Sequence, residues 1–549
     1  MENGAEPIVV RVDAGRWLGP MAHNWTYLGY DECNYTHTPG GEALLAEFGA
    51  FQEQPYYVRA HHLLCTGNCH GTYKWGSTNA YLEDPDGAPL YDWTTVDRIL
   101  DTLLHHGCKP FVEIGFMPRD LADPAHYDAA SDRHMRAYRD YGWACPPRDY
   151  RRWHDLVYRL VRHCVERHGE EEVATWYWEL WNEPDISYWR GTVEEFIRLY
   201  DYTAEAVKAA LPQARVGGPS VTNPIVGRPS AEYLDRFLAH CRGGENACTG
   251  TRGAPLDFVT FHLKGGGYAP DPLHRPQDPP TVKRVLEGAT VGYDLVRKHG
   301  YEGLECVVSE CDPDGWAAGG AYDNANLNFR NTEYYPSYVA AAFHHLTRFA
   351  QARDWDLRFL SWAFMFVGER CFEGTRAFST QGIAKPILNL FRMYARLGSI
   401  QVALESEAAR EPLSFADRHG RAEAPEVAGV ATLSGDGALH VLVYHHHDDW
   451  RRSGETVVDL RIANVPAEAR EMTLRHHRID GQHSNAYTEW LRQGRPDYPT
   501  GGQREVIASR SGLELLEPPR TVRVADGALG VSFPLPVHGI SLLEFRPVR

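Results

Sequence analysis

Two acidic residues of this chain end strand-like runs in a way that suits them to proton transfer and nucleophilic attack. Glu183 closes the aromatic and apolar segment Trp176-Tyr177-Trp178-Glu179-Leu180-Trp181-Asn182-Glu183-Pro184-Asp185, and Glu310 closes Val307-Val308-Ser309-Glu310. Pro184 removes a backbone donor, so the first run must stop there. A carboxylate at the end of a buried strand is poorly solvated, the condition under which a carboxyl group can hold a proton near neutral pH. A single such residue is compatible with a structural ion pair. Two of them facing each other across a cleft meet the requirement for cleaving a glycosidic bond, in which one protonates the leaving oxygen while the other attacks the anomeric carbon. A separation of about 5–5.5 Å between them would mark a retaining reaction.

Such a pair needs a scaffold that brings distant strand ends to one rim. Strand-like runs alternate with helical patterns from about residue 20 to 396. The strands are expected at Met21–Leu28, Tyr56–His61, Pro110–Phe116, Thr175–Trp181, Arg215–Gly218, Asp257–Lys264, Glu305–Glu310 and Phe359–Phe366. Helical spacing is seen in Thr94–His106, where Val96, Ile99, Leu100, Leu103 and Leu104 recur at i, i+3, i+4, and likewise in Tyr150–Arg167, Val193–Ala210, Ala231–Cys241, Thr281–His299, Glu333–Ala350 and Ala384–Leu397. Eight strand-then-helix units predict an α/β fold, a (β/α)8 TIM barrel, whose active site lies at the C-terminal strand ends. A doubly wound open sheet is the alternative, but no Gly-rich phosphate loop follows a first strand. The residues at the expected strand ends are Arg59, His61 and His62, then Glu113 followed by Phe116, then Asn182 and Glu183, His262 and Lys264, Glu310 and Asp312, and Trp362 with Glu369 just beyond.

After about residue 400 the texture changes to short strands separated by turn signals such as Gly435-Asp436-Gly437, which predicts an all-β sandwich. The expected division is an N-terminal strand in residues 1–15 able to pair with the β domain, a catalytic barrel over 16–398 and the β-sandwich over 399–549. The chain has 549 residues and 43% hydrophobic content, enough for a full core, and its 15 Trp and 29 Tyr could serve that core or stack on sugars. A net charge of −17 excludes nucleic acid as a partner. No run is long and apolar enough for a membrane span, and the start Met1-Glu2-Asn3-Gly4 has no signal-peptide character, so a cytoplasmic protein is expected. The 11 scattered cysteines suit reduced thiols. No cofactor and no metal are expected: Cys65, Cys69 and His70 lack a second pair at zinc spacing, and His445-His446-His447-Asp448-Asp449 is assigned to a solvated turn. Asp31 and Glu32, after the first strand, are placed on the rim of the pocket. Nothing sets the oligomeric state.

Trp181-Asn182-Glu183-Pro184 and Val308-Ser309-Glu310 resemble the acid/base and nucleophile motifs of glycoside hydrolase family 39, which holds β-xylosidases and α-L-iduronidases. Tyr57-Val58-Arg59-Ala60-His61 and the stretch from Tyr91-Asp92-Trp93 to Phe111-Val112-Glu113-Ile114-Gly115-Phe116-Met117-Pro118 resemble the β-xylosidase branch. Arg478-Ile479-Asp480, His483-Ser484-Asn485 and Trp490 resemble the family's β-sandwich, so the likeness covers nearly the whole chain. The resemblance implies Glu183 as general acid/base and Glu310 as nucleophile. It implies Asn182 as ligand of the sugar 2-OH, His61, His262 and Glu369 as ligands of the glycone hydroxyls, Trp362 as the floor under the ring, and Phe116 as pocket lining. An ion pair with Arg370 is the plain alternative for Glu369.

The segments Phe261-His262-Leu263-Lys264-Gly265 and Glu310-Cys311-Asp312-Pro313 are closer to the iduronidase branch, where the lysine binds a uronate carboxylate. A cation in the pocket suits a neutral sugar only if a protein carboxylate neutralises it, and Asp312 is the candidate. Both roles of Lys264 stay open at this level. The strand-3 segment and the acidic charge favour a β-D-xylosidase releasing xylose from the non-reducing end of xylo-oligosaccharides. Iduronidase-like or α-L-arabinosidase activity is the alternative. A non-catalytic carbohydrate-binding protein would have no need of two opposed carboxylates.

Overall fold

The computed structural model describes residues 6–548 apart from 52–53, 70–75, 127–141, 267–277, 316–319, 323, 364–368, 412, 414–421 and 466–469. Eight parallel strands close into a barrel in chain order: β1 Tyr27–Tyr30, β2 Tyr57–Ala60, β3 Lys109–Ile114, β4 Tyr177–Leu180, β5 Arg215–Val221, β6 Phe258–Gly266, β7 Glu305–Asp314 and β8 Leu357–Trp362. β8 closes on β1 through Leu360–Trp362 paired with Tyr27–Gly29. This is the TIM barrel expected from the alternation of periods. The helices form the outer ring, as in Thr94–His105, which buries Val96, Ile99, Leu100 and Leu103 on one face. Burying each such side chain contributes about 1.5–3 kcal/mol. Val193–Ala210 is started by a reciprocal capping box between Thr192 and Glu195.

Strand boundaries moved where local turns compete. The first strand was expected from Met21, but residues 21–26 instead hold a turn in which the Thr26 amide and hydroxyl both donate to the His23 carbonyl, at 3.4 and 3.1 Å. Met21, directly after the long N-terminal strand Ile8–Pro20, donates its amide to Ser399 O at 2.8 Å, so the barrel strand cannot begin there. β7 runs on to Asp314, four residues past Glu310. Residues 364–366 of the expected eighth strand, and His70, lie outside the described residues.

Side chains alternate along each strand, so the barrel interior fills in layers. Tyr27, Tyr57, Phe111, Tyr177, Phe258, Val307 and Leu360 make one apolar layer, with Phe111 stacked on Tyr177 at 4.7 Å. Two residues further along β2, β3 and β4 come Arg59, Glu113 and Glu179, all fully buried. On β8 the same step gives Trp362. Its neighbour on β1 must be glycine: a Cβ on Gly29 would lie 1.7 Å from Trp362 Cζ3. One step higher stand His61 and Asp31, at the rim.

The C-terminal region is a ten-stranded sheet into which the N-terminal strand Ile8–Pro20 is inserted, antiparallel to Ile400–Ser406 and parallel to Glu455–Ala463. Val10, Val458, Leu474, Val441, Val531 and Phe545 share one core although they come from both ends of the strand order. The sheet therefore folds over itself as a sandwich, and Arg478 Nη2 spans the fold to Pro534 O at 2.7 Å. His445, His446 and His447, assigned from sequence to a solvated turn, are buried where the sandwich meets the barrel helix Tyr334–Gln351. His446 Nδ1 lies 3.0 Å from Ser337 Oγ of that helix. The apolar face of the helix needs covering, and the strand Leu439–His446, buried along its length, supplies the cover. Among the described residues no helix is long and apolar enough to cross a membrane.

Candidate active site

Glu183 and Glu310 face each other across the C-terminal mouth of the barrel. One oxygen of each, with one nitrogen of His262, all lie within 4.8 Å of one another. β4 ends at Leu180, and the chain then turns sharply, with Trp181 at φ 68° and Glu183 at φ 45°. These are left-handed conformations that cost a non-glycine residue on the order of 1–3 kcal/mol. The turn is held by Trp181 N donating to Ile114 O at 3.2 Å and Glu183 N donating to Ser220 O at 2.8 Å. It lifts the Glu183 side chain to the rim, where it is 14% exposed against 5% for Glu310.

Glu310 sits in a cage of cations. Lys264 Nζ is 2.5 Å from its Oε2, and His61 Nε2 and Arg59 Nη1 are each 3.4 Å from its Oε1. The parallel register of β6 and β7 explains the first contact, since it sets His262 beside Glu310 and Lys264 beside Asp312. Burial alone would raise the Glu310 carboxyl, but Lys264, His262 and His61 outweigh it and hold it well below the usual carboxylate range. His61 is opposed by burial too, yet Glu113, 2.5 Å from Nδ1, lifts its imidazole to about 9.

Arg59 is the hub beneath this cage. Its Nε donates to Glu179 at 2.5 Å, and its Nη2 lies 2.8 Å from Glu113, 3.0 Å from Asn182 Oδ1 and 2.9 Å from Ser220 Oγ. An arginine can only donate, so the Ser220 hydroxyl accepts from it, and the same hydroxyl lies 3.0 Å from His262 Nε2 and 3.4 Å from Ser309 Oγ. The other imidazole nitrogen, Nδ1, points at Glu183 Oε1 at 2.8 Å. The chain Arg59, Ser220, His262 thus ends at Glu183.

Lys264 also lies 2.7 Å from Asp312, which in turn holds Arg376 at 2.9 Å and faces Arg330 at 3.8 Å. Burial opposes ionisation of Asp312, and Arg376, Lys264 and Arg330 keep its carboxyl below the ordinary value. Trp362 lies across the barrel axis with the His61 ring 5.2 Å away edge-on and the Arg59 and Arg376 guanidiniums each 5.9 Å from its centroid. Asp31 joins the rim through His61 Nε2 at 3.4 Å. Phe116 is packed behind His61, at 4.9 Å from Trp143 and 5.1 Å from Trp181. Glu369 is set apart from the carboxylate pair among the described contacts. Burial pushes it up to about 7 against the pull of buried Lys385, itself brought down to about 8. It makes no ion pair with Arg370, whose guanidinium is on Glu373 at 2.6 Å.

Sequence reasoning named Glu183, Glu310, Asn182, His61, His262, Lys264 and Asp312, and the structure brings these into one connected network. It missed Arg59 as the hub, Glu179, Ser220 and Arg376. The available signal was an arginine and two glutamates in phase with apolar inward-facing positions of barrel strands. Glu183, His262 and Glu310 have metal-ligand chemistry, but the donor set does not suit a dication: Lys264, His61 and Arg59 already place positive charge on Glu310.

Two opposed carboxylates at the mouth of a TIM barrel, one caged by cations and one on the rim, define a glycoside hydrolase site. Residues 8–512 match the model of glycosyl hydrolases family 39, and the chain belongs to that family. It is 25% identical to the β-xylosidase of Geobacillus stearothermophilus over 90% of this chain and 86% of that one. It is also 25% identical to the α-L-iduronidase of Mus musculus over 99% of this chain and 82% of that one. A solved bacterial orthologue of human α-L-iduronidase superposes with a TM-score of 0.77 at 22% identity, covering 99% of this chain and 84% of that structure, a likeness of fold.

Proposed function

We propose that this family 39 glycosidase is a retaining, exo-acting β-D-xylosidase. The oxygens of Glu183 and Glu310 approach within 4.8 Å, near the separation of retaining pairs and well below the roughly 6.5–9.5 Å that inverting enzymes need for a water. Glu310, held ionised by Lys264, His61 and Arg59, attacks the anomeric carbon as Glu183 gives its proton to the glycosidic oxygen. The leaving alcohol departs and the sugar stays on Glu310 as an ester. Glu183, now a carboxylate, takes a proton from water, whose oxygen attacks the anomeric carbon and frees Glu310. In this reading Asn182, held by Arg59 at 3.0 Å, receives the 2-OH, and His61 and His262 receive other hydroxyls, whereas Glu369, apart from the pair, is left without a sugar contact. Trp362 serves as the platform for the ring, and Phe116 lines the same pocket from behind His61.

The observation that carries the choice of a neutral sugar is the engagement of Lys264. Its ammonium already touches Glu310 and Asp312, and Arg376 completes the balance around Asp312, so no substrate carboxylate is required. The uronide reading draws on the same cluster, because Lys264 and Arg376 stand side by side at one carboxylate. A panel of 4-nitrophenyl glycosides decides between them. Highest kcat/KM on the β-xyloside is expected; highest kcat/KM on an α-L-iduronide would overturn the xylose assignment, and a preference for an α-L-arabinoside would redirect it.

A further inference from the structure

Beside the carboxylate pair lies a cavity of about 380 Å³ lined by Glu183 and Asp185 after β4, Thr222 and Arg228 after β5, Lys264 at the end of β6, and Arg284. A general acid protonates the oxygen shared with the leaving group, so the space beyond Glu183 is where the leaving group goes. Among the described residues the charges facing it are Glu183, Asp185, Lys264, Arg228 and Arg284. Lys264 is spent on Glu310 and Asp312. Asp185 is bonded to Thr222 through both its amide, at 2.9 Å, and its hydroxyl.

Arg228 and Arg284 are different. Neither makes an ion pair among the described residues, and the half-buried Arg284 leaves Nε with no hydrogen-bond partner. Burial, then the charge of Arg228, lowers the Arg284 guanidinium, and Glu287 only partly compensates. Both positions also oppose helix stability. Arg228 is the N-cap of Pro229–Gly243 and caps nothing, and Arg284 lies in the first turn of Val282–Lys298, where the helix dipole disfavours a cation. Two unmatched arginines at two helix N-termini around one cavity make a field suited to an oxyanion. The chain's net charge does not cancel it, because charges beyond about 8 Å are screened at physiological salt.

We infer that this cavity is a leaving-group subsite for an anionic aglycone, one carrying a carboxylate or a sulfate that Arg228 and Arg284 receive. The inference rests on the glycosidase reading above and adds the class of the second sugar or aglycone. The test uses 4-carboxyphenyl, 4-sulfophenyl and neutral 4-carbamoylphenyl β-xylosides with wild type, Arg284→Met and Arg228→Met. Dividing the wild-type ratio of anionic to neutral kcat/KM by the variant ratio cancels the intrinsic difference between leaving groups. That quotient is expected to be about tenfold in each variant, with turnover of the neutral substrate unchanged, and to shrink as salt is raised. The carboxyphenyl and sulfophenyl arms tell which oxyanion is preferred. Arg228→Met, at an exposed helix start, keeps the test informative if Arg284→Met folds poorly. A quotient of one for both anions overturns the subsite. Failure to cleave any of the xylosides would instead overturn the sugar assignment, and the same quotient is then read on the glycone the panel identifies.

Discussion

Replacing Lys264 with Met removes the cation closest to Glu310 while keeping the length of the side chain. At 2.5 Å and an effective dielectric near 20, the gross attraction between the pair is about 6–7 kcal/mol. Much of this is offset by the cost of burying the ammonium, and a single opposite charge at such range typically shifts a carboxyl by about 1–3 pH units, or roughly 1.4–4 kcal/mol. Glu310 is active as the carboxylate, and its folded pKa is depressed, so activity is present above that pKa and lost as pH falls through it. Removing Lys264 raises the pKa. The acidic limb of kcat/KM, measured on an aryl β-xyloside, should therefore move up by about 1–3 units, with His262 and His61 accounting for what depression is left. Asp312 keeps Arg376 and Arg330, so the fold beneath should hold, which circular dichroism can check. An acidic limb that stays at its wild-type position would refute the argument that this lysine sets the ionisation of the nucleophile.

Glu183→Ala should lower kcat/KM on xylobiose by about 10²–10⁴-fold and spare a dinitrophenyl β-xyloside far more, because only the poor leaving group needs the proton; equal losses on the two substrates would remove Glu183 from the acid role. Acid stability should depend on buried neutral histidines. Burial brings both His446 and His476 down to about 3, below the unfolded value near 6.5, so the unfolded chain binds more protons between those limits and stability falls as pH drops through that window. From pH 6.5 to 5 each costs about 2 kcal/mol, and urea unfolding of His446→Gln at pH 7 and 5 should show a smaller pH dependence than wild type; an unchanged dependence would mean His446 does not titrate in unfolding.

The barrel and the carboxylate pair were legible because both are written locally. Alternating periods give the strands and helices, and Pro184 after Asn182-Glu183 marks a strand end. The network was less legible because it depends on register. His262 and Lys264 share one face of β6, and Glu310 and Asp312 one face of β7, which spacing reveals, but that Glu310 stands beside His262 and Asp312 beside Lys264 is fixed only when the barrel closes. Arg59 was visible at a strand end without its partners, since Glu113, Glu179 and Ser220 lie on three other strands. The histidines at 445–447 were misread because an apparent turn was covered by a helix a hundred residues away in sequence.

In the proposed reaction Glu310 carries the sugar during turnover. Inactivation with a 2-deoxy-2-fluoro-β-xyloside bearing an activated leaving group, followed by peptic digestion and mass spectrometry, reads this directly. One fluoro-xylosyl unit esterified to the peptide containing Glu310 is expected, and none in Glu310→Gln. A label on Glu183 or another residue, or turnover without any trapped intermediate and with inversion at the anomeric carbon, would contradict it.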